Sequence, residues 1–130
     1  MSTLAKARDY LWQLCKGTVS TNIYVSDRPA AIPDSVTDFV VVSTPMRFRS
    51  ATDRGDNAIM RGAVMVELYA KNLKNGNENT AKLNSMEQAF YGALGSANIN
   101  GFRIKLRGAS VAPPFENYHI TVITLDLIIT

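Results

Sequence analysis

Few residues in this sequence could carry out proton transfer or nucleophilic attack. His119 is the single histidine, and a histidine can act as a general base near neutral pH. No serine or cysteine stands in a nucleophile motif, so His119 is interpreted as a residue of an edge or interface strand. An enzyme would need Glu67, Glu116 or Asp126 to converge with His119 in a pocket. Cys15 ends an apolar helical stripe, a position typical of a packed core thiol.

Metal and cofactor motifs are not found in the sequence. The single cysteine rules out both an intramolecular disulfide and a thiolate zinc site. Asp53 and Asp56 form the closest acidic loop pair, but the dense alternation of oxygen ligands used by calcium sites is missing around them. No Walker loop, GxGxxG, HExxH, GxSxG or CxxC occurs. We therefore expect no enzyme activity, no cofactor and no metal.

Basic residues are the informative chemical cluster. The run from Phe102 to Arg107 alternates strictly between apolar and basic residues, which places the basic ones on one face of a strand. The sequence after Pro45 repeats this alternation. In a monomer this pattern predicts a solvated sheet face, whereas in a ring it could line a lumen and make sequence-independent phosphate contacts. The candidate lumen or DNA-facing residues are Arg47, Arg49, Arg103, Lys105 and Arg107.

Two helices and five strands are predicted to position these residues. Apolar residues at spacings of three and four predict helices over about 3–16 and 79–94, ended by Gly17 and Gly95. Their candidate N-caps are Ser2 or Thr3 and Asn79 or Thr80. The predicted strands cover about residues 23–25, 39–42, 63–71, 102–107 and 118–129.

Three connections complete this description. The stretch 27–34 contains two prolines and is predicted to be a loop over the surface. Residues 50–61 are small and polar and are predicted to form the projecting tip of a long β-hairpin. Pro113 and Pro114 predict a further loop before the last strand.

The elements predict an α+β fold. We expect a largely antiparallel or mixed β-sheet of four to five strands, with two helices packed on one face. The 130 residues fit a single domain, 1–130, and 46% hydrophobic with 19% charged residues is an ordinary globular composition. No apolar run reaches the roughly 18 residues of a membrane span, and the N-terminus is unlike a signal peptide. We therefore expect the protein to be made and used inside a cell. The net charge of +3 permits proximity to a polyanion.

Several local sequences follow one another in a characteristic order along nearly the whole chain. After the N-terminal amphipathic helix they are Ile23-Tyr24-Val25, Phe39-Val40-Val41-Val42-Ser43, Val64-Met65-Val66-Glu67-Leu68-Tyr69-Ala70, the helix with Leu83, Met86 and Leu94, and Tyr118-His119-Ile120-Thr121-Val122. This order resembles the tail-terminator, or tail-completion, proteins of long-tailed bacteriophages. The resemblance is one of element types and includes no catalytic motif.

The resemblance implies a structural virion protein located in the tail or neck and assembled in the host cytoplasm. Such proteins form a hexameric ring that caps the tail tube and joins it to the head connector. The implied partners are further copies of the chain, the tail tube protein, the head–tail connector protein and, in passing, the genomic DNA. The hairpin loop is long enough to reach an adjacent protein. Its candidate inter-subunit residues are Asp53, Arg54, Asp56 and Arg61.

Two alternatives remain open from the sequence. One is another ring protein of the phage neck or tail, either a head-completion protein or the tail tube protein; tube proteins usually need a larger β-sandwich than this chain supplies. The other is a small α+β nucleic-acid-binding module that uses the basic strand face. A monomer with steeply salt-dependent binding would favour that module.

Overall fold

The structure is a computed structural model that describes residues 3–25, 27–43, 49–50, 60–96 and 102–129. Within these ranges the elements are α1 (Thr3–Cys15), β1 (Ile23–Val25), β2 (Asp38–Val42), β3 (Arg49–Ser50), β4 (Met60–Lys71), α2 (Thr80–Ser96), β5 (Phe102–Phe115) and β6 (Tyr118–Ile129). The strands form a mixed sheet with helices packed against it, which confirms the predicted α+β fold.

The sheet has the strand order β1-β2-β4-β6-β5, and the short β3 pairs with one end of β4. β1 runs parallel to β2, and the remaining pairs are antiparallel. β4 and β6 pair along their whole length, from Met60 opposite Ile129 to Lys71 opposite Tyr118. Within the described sheet, β1 and β5 are therefore the outer strands of this order, and the short β3 likewise has a partner on one side only.

One face of the sheet, called the helix face here, packs against both helices. The predicted stripe residues Leu11, Leu14 and Cys15 of α1 are buried there, as are Leu83, Met86 and Phe90 of α2. The strands contribute the residues that alternate inward: Val40, Val42, Val64, Val66, Leu68, Ile123, Leu125 and Leu127. Side chains alternate between the two faces of a strand, so the hydrophobic pattern determines which residues meet the helices.

The helix ends follow the predicted capping signals in part. Gly17 adopts φ 78°, the left-handed conformation of a helix-ending glycine, and Asn79 Oδ1 accepts a hydrogen bond from the Lys82 amide at 3.2 Å. The prediction that Gly95 ends the second helix was wrong, because α2 continues to Ser96. A glycine inside a helix costs only about 1 kcal/mol relative to alanine, so the residue alone does not stop a helix.

The opposite face, called the open face here, has a second core at one end. Phe39, Tyr69, Tyr118, Ile120 and Val122 are buried in it together with Val41. The proline-containing loop lies over them, and its Ile32 and Val36 pack against this core. Tyr118 donates a hydrogen bond to the Val36 carbonyl oxygen at 2.6 Å. β2 is therefore covered on both faces, with Val40 and Val42 in one core and Phe39 and Val41 in the other.

Strand β5 is longer than predicted. It continues from Phe102 to Phe115, through Pro113 and Pro114, where a loop was expected. Its pairing with β6 shifts register at two irregularities, between Leu106 and Gly108 and between Ala112 and Phe115. Because β5 has a partner on only one side, a proline without an N–H can be accommodated there at a bulge.

The β2–β4 hairpin is confirmed, with Asp38 opposite Ala70 and Val42 opposite Val66. Its predicted tip, 50–61, was too long. Arg49 and Ser50 pair with Arg61 and Met60, so regular pairing extends into that range from both sides. Arg61 is therefore a strand residue, not the loop residue that the sequence suggested. The predicted loop contacts Asp53, Arg54 and Asp56, and the predicted lumen residue Arg47, lie outside the described residues.

Candidate functional site

The predicted basic face of β5 lies on the open face, beyond the end that the loop covers. Lys105 is exposed and pairs in register with Asp126 of β6. The Arg107 guanidinium donates from one nitrogen to both Asp126 carboxylate oxygens, at 3.2 and 3.3 Å. The Arg107 side chain is 59% exposed and that of Asp126 only 13%. One of the two basic side chains described on β5 is thus partly neutralised within the chain.

The backbone register brings three further arginines into one row next to this pair. Arg49 pairs with Arg61, Arg61 pairs with Ile128, and Ile128 pairs with Arg103. Strands lie about 4.8 Å apart, so the row spans roughly 14 Å across four strands. We name the combined set the basic end: Arg49, Arg61, Arg103, Lys105 and Arg107.

The sheet between the basic end and the covered core has an uncharged, partly apolar surface. Met65 of β4 is 48% exposed, and its register partner Thr124 is half-buried. Ser43 anchors the end of β2 here, since its Oγ donates to the Met65 carbonyl oxygen at 2.8 Å and accepts from the Met65 amide at 2.9 Å. A sheet face on which basic residues share a register at one end is suited to contact with another macromolecule.

A polar chain that the sequence did not reveal fastens the loop to the open face. Arg28 lies with its guanidinium carbon 3.7 Å from the centre of the Phe115 ring and donates to the Tyr69 hydroxyl at 3.4 Å. That hydroxyl donates to Glu67 Oε1 at 3.3 Å. Burial raises the pKa of Tyr69, and the negative charge of Glu67 raises it further. Arg28 precedes a proline in a stretch without periodicity, and only knowledge of the strand order could have placed it beside Phe115.

The residues considered for catalysis do not converge. His119 lies on the helix side of β6, with Nδ1 2.5 Å from Asn72 Oδ1. Glu67 and Asp126 lie on the open face, so the sheet separates them from His119, and Asp126 binds Arg107. Glu116 is exposed in the turn before β6.

The Cys15 thiol is fully buried, and burial raises its pKa to about 12. The thiolate is the nucleophilic form of cysteine, so this thiol is unreactive near neutral pH. This confirms its interpretation as a core residue. In the described part of the chain, no group of three or more His, Cys, Asp or Glu side chains is arranged to hold a metal ion. No helix among those residues combines the length and apolar character needed to cross a membrane.

No model of a known protein family matches the chain, and a search of curated proteins also found no match. The resemblance to tail terminators therefore rests on the element order and on the local sequences quoted above. The basic residues of the open face bear on function independently of this resemblance.

Proposed function

We propose that this chain is a structural protein of a phage tail, a tail terminator that forms a ring, caps the tail tube and joins it to the head connector. It acts without catalysis, by presenting surfaces to neighbouring proteins. In this proposal the open face lines the channel, and the basic end makes weak phosphate contacts with the genomic DNA that passes through.

The observation that carries the proposal is the basic end itself. Arg49, Arg61 and Arg103 share one row of the register, and Lys105 and Arg107 follow on the same edge strand. Basic residues that share a register at one end of a sheet face favour contact with a polyanion. The absence of clustered catalytic groups around His119, within the residues that the structure describes, is compatible with a non-enzymatic role.

The first test is the solution mass of the purified chain, measured by light scattering over a concentration series with negative-stain images of the same samples. The proposal predicts a closed ring of about six subunits with a central hole. Replacing Arg103, Lys105 and Arg107 with alanine should leave rings intact and weaken their binding to duplex DNA. Loss of the ring in that variant would contradict the lumen assignment.

A second candidate function uses the same basic end. A monomeric nucleic-acid-binding module would also present Lys105 and Arg107 to phosphates. The two functions differ in assembly state, because the module binds DNA as a monomer. A strictly monomeric protein with tight binding and a steep salt dependence would favour the module over the terminator.

A further inference from the structure

We infer that the open face carries a binding site for a guanidinium group at its covered end. The site consists of the Phe115 ring, the Tyr69 hydroxyl and the Glu67 carboxylate, and Arg28 of the chain itself occupies it. An arginine side chain of a partner protein would compete with Arg28 for this position. The inference concerns a single chain, so it does not depend on the proposed ring.

Arg28 shows which chemical group the site accepts. Its guanidinium carbon lies 3.7 Å from the centre of the Phe115 ring, and one of its nitrogens donates to the Tyr69 hydroxyl at 3.4 Å. A guanidinium has several N–H donors and readily contacts an aromatic ring, so it can use the ring and the oxygen together. An ammonium is a compact, strongly hydrated charge and is less suited to this pair. The ligand class is therefore arginine and not lysine.

Glu67 adds a negative charge that the chain's own arginine does not neutralise. Glu67 is half-buried, and its Oε1 accepts a hydrogen bond from the Tyr69 hydroxyl at 3.3 Å. Among the described residues, neither Glu67 nor Arg28 takes part in an ion pair. Arginine frequently binds a carboxylate through two parallel hydrogen bonds, which adds energy to the contact. A partner's arginine that reached the carboxylate would therefore gain a contact that Arg28 lacks.

The loop that carries Arg28 is attached to the sheet mainly through its second half. We name residues 27–37 the strap. The backbone carbonyl oxygens of Asp34, Val36 and Thr37 accept hydrogen bonds from β4 and β6, at 3.0, 2.6 and 2.9 Å. Ile32 and Val36 pack against the second core. These contacts hold the second half in place independently of Arg28.

The first half of the strap has a weaker attachment. Within residues 27–31, Arg28 makes the only side-chain hydrogen bond or ring contact with the sheet that the described residues show. Arg28 itself is exposed, and Phe115 is half-buried on an outer strand. A segment with few buried contacts opens at a low free-energy cost. The first half can therefore leave the site to a competitor while the second half still covers the core.

Arg28 and a partner's arginine cannot occupy the site together, so their binding is competitive. The apparent affinity for a free guanidinium is reduced by the fraction of chains in which Arg28 has left the site. Removing Arg28 should therefore increase this affinity, and we expect a gain of at least about tenfold. The Tyr69 hydroxyl and the Glu67 charge should both be needed for the gain.

A titration with two small probes tests the site. N-acetylarginine amide carries a guanidinium group, and N-acetyllysine amide carries an ammonium group. Fluorine NMR on protein that contains fluorophenylalanine follows the signal of Phe115, which is assigned with Phe115→Leu. With Arg28→Ala we expect a saturable shift with the arginine probe, at an affinity at least about tenfold above that of the wild type. The lysine probe should bind much more weakly.

Two further variants separate the site from a general loosening of the strap. Lys71→Ala removes the contact of Lys71 Nζ with the Asp34 carbonyl oxygen and leaves Arg28 in place, so it should not gain affinity for the arginine probe. Arg28→Ala combined with Tyr69→Phe removes the hydroxyl that a guanidinium binds, and most of the gain should disappear.

Arg28→Lys keeps the inference testable if the alanine variant fails to fold. Its ammonium retains the positive charge near Phe115 but competes less well for the site than a guanidinium does. The variant should therefore also bind the arginine probe more tightly than the wild type.

Each other outcome has a definite meaning. Equal affinity of a folded Arg28 variant for the two probes would overturn the assignment to guanidinium. Equal affinity of the wild type and the Arg28 variants for the arginine probe would overturn the competition. A gain in Lys71→Ala as large as that in Arg28→Ala would overturn the role of Arg28 as the occupant. A wild type that stays monomeric would contradict the proposed ring and leave this site unaffected.

Discussion

The Arg107–Asp126 ion pair leads us to predict that removing the Asp126 charge strengthens DNA binding. Asp126 holds the Arg107 guanidinium at 3.2 Å and so competes with any phosphate for it. Asp126→Asn removes the competing charge while nearly preserving the shape of a side chain that is only 13% exposed. The variant should therefore bind duplex DNA more tightly than the wild type, although the mutated residue need not touch the DNA.

The magnitude follows from counterion release. Each additional phosphate neutralised on duplex DNA steepens the dependence of log K on log salt concentration by about 0.9. For each subunit that touches the DNA, the loss of affinity between 50 and 200 mM salt should therefore increase by a further factor of about 3.5. The pair is largely exposed on its arginine side, so its removal should lower the free energy of unfolding by no more than about 1 kcal/mol.

Fluorescence anisotropy with a labelled duplex, repeated over a salt series, measures this slope. Asp34→Asn is the matched control, because it removes the same charge from an exposed loop residue whose backbone oxygen binds Lys71 at the covered end of the open face. Lys105→Ala should change the slope in the opposite direction. An Asp126→Asn protein that is folded, has the wild-type mass and shows an unchanged or shallower slope would refute DNA contact through Arg107.

Three further predictions concern the fold and the buried thiol. Phe39→Ala should lower the free energy of unfolding by about 3–5 kcal/mol, measured in urea, because Phe39 is fully buried and stacks on Tyr69 at 4.2 Å; a loss below 1 kcal/mol would contradict the second core. Asn79→Ala should cost about 1 kcal/mol through loss of the α2 cap, with Asn79→Asp as the control that keeps it; equal stability of the two would show that the cap contributes nothing. Cys15, with its pKa raised to about 12, should resist alkylation in the native protein from pH 7 to pH 9 and react after denaturation. Rapid native labelling that increases tenfold per pH unit would mean that the thiol is accessible.

The local sequence pattern predicted the helices and strands correctly where apolar and polar residues recur at a regular spacing. β6 runs from Tyr118 to Ile129, the predicted range, because its apolar residues alternate along a strand whose helix-facing side is buried. The stripe of α2 was predictable for the same reason. Consecutive apolar residues such as Val40 and Val41 are typical of a strand buried on both faces, and the structure buries each of the two in a different core.

Features that depend on the neighbour of a strand could not be predicted from local pattern. The prolines after Ala112 indicate a loop when they are read locally, but they lie in a strand because β5 is at the edge of the sheet. The pairing of Arg107 with Asp126 required knowledge that β5 and β6 are adjacent and of the register shift after Leu106. Arg28 contacts Phe115, although the two residues are far apart in the sequence, and no periodicity in the sequence predicts such a contact. The sequence therefore suggested a basic strand face but not that its last arginine is already bound.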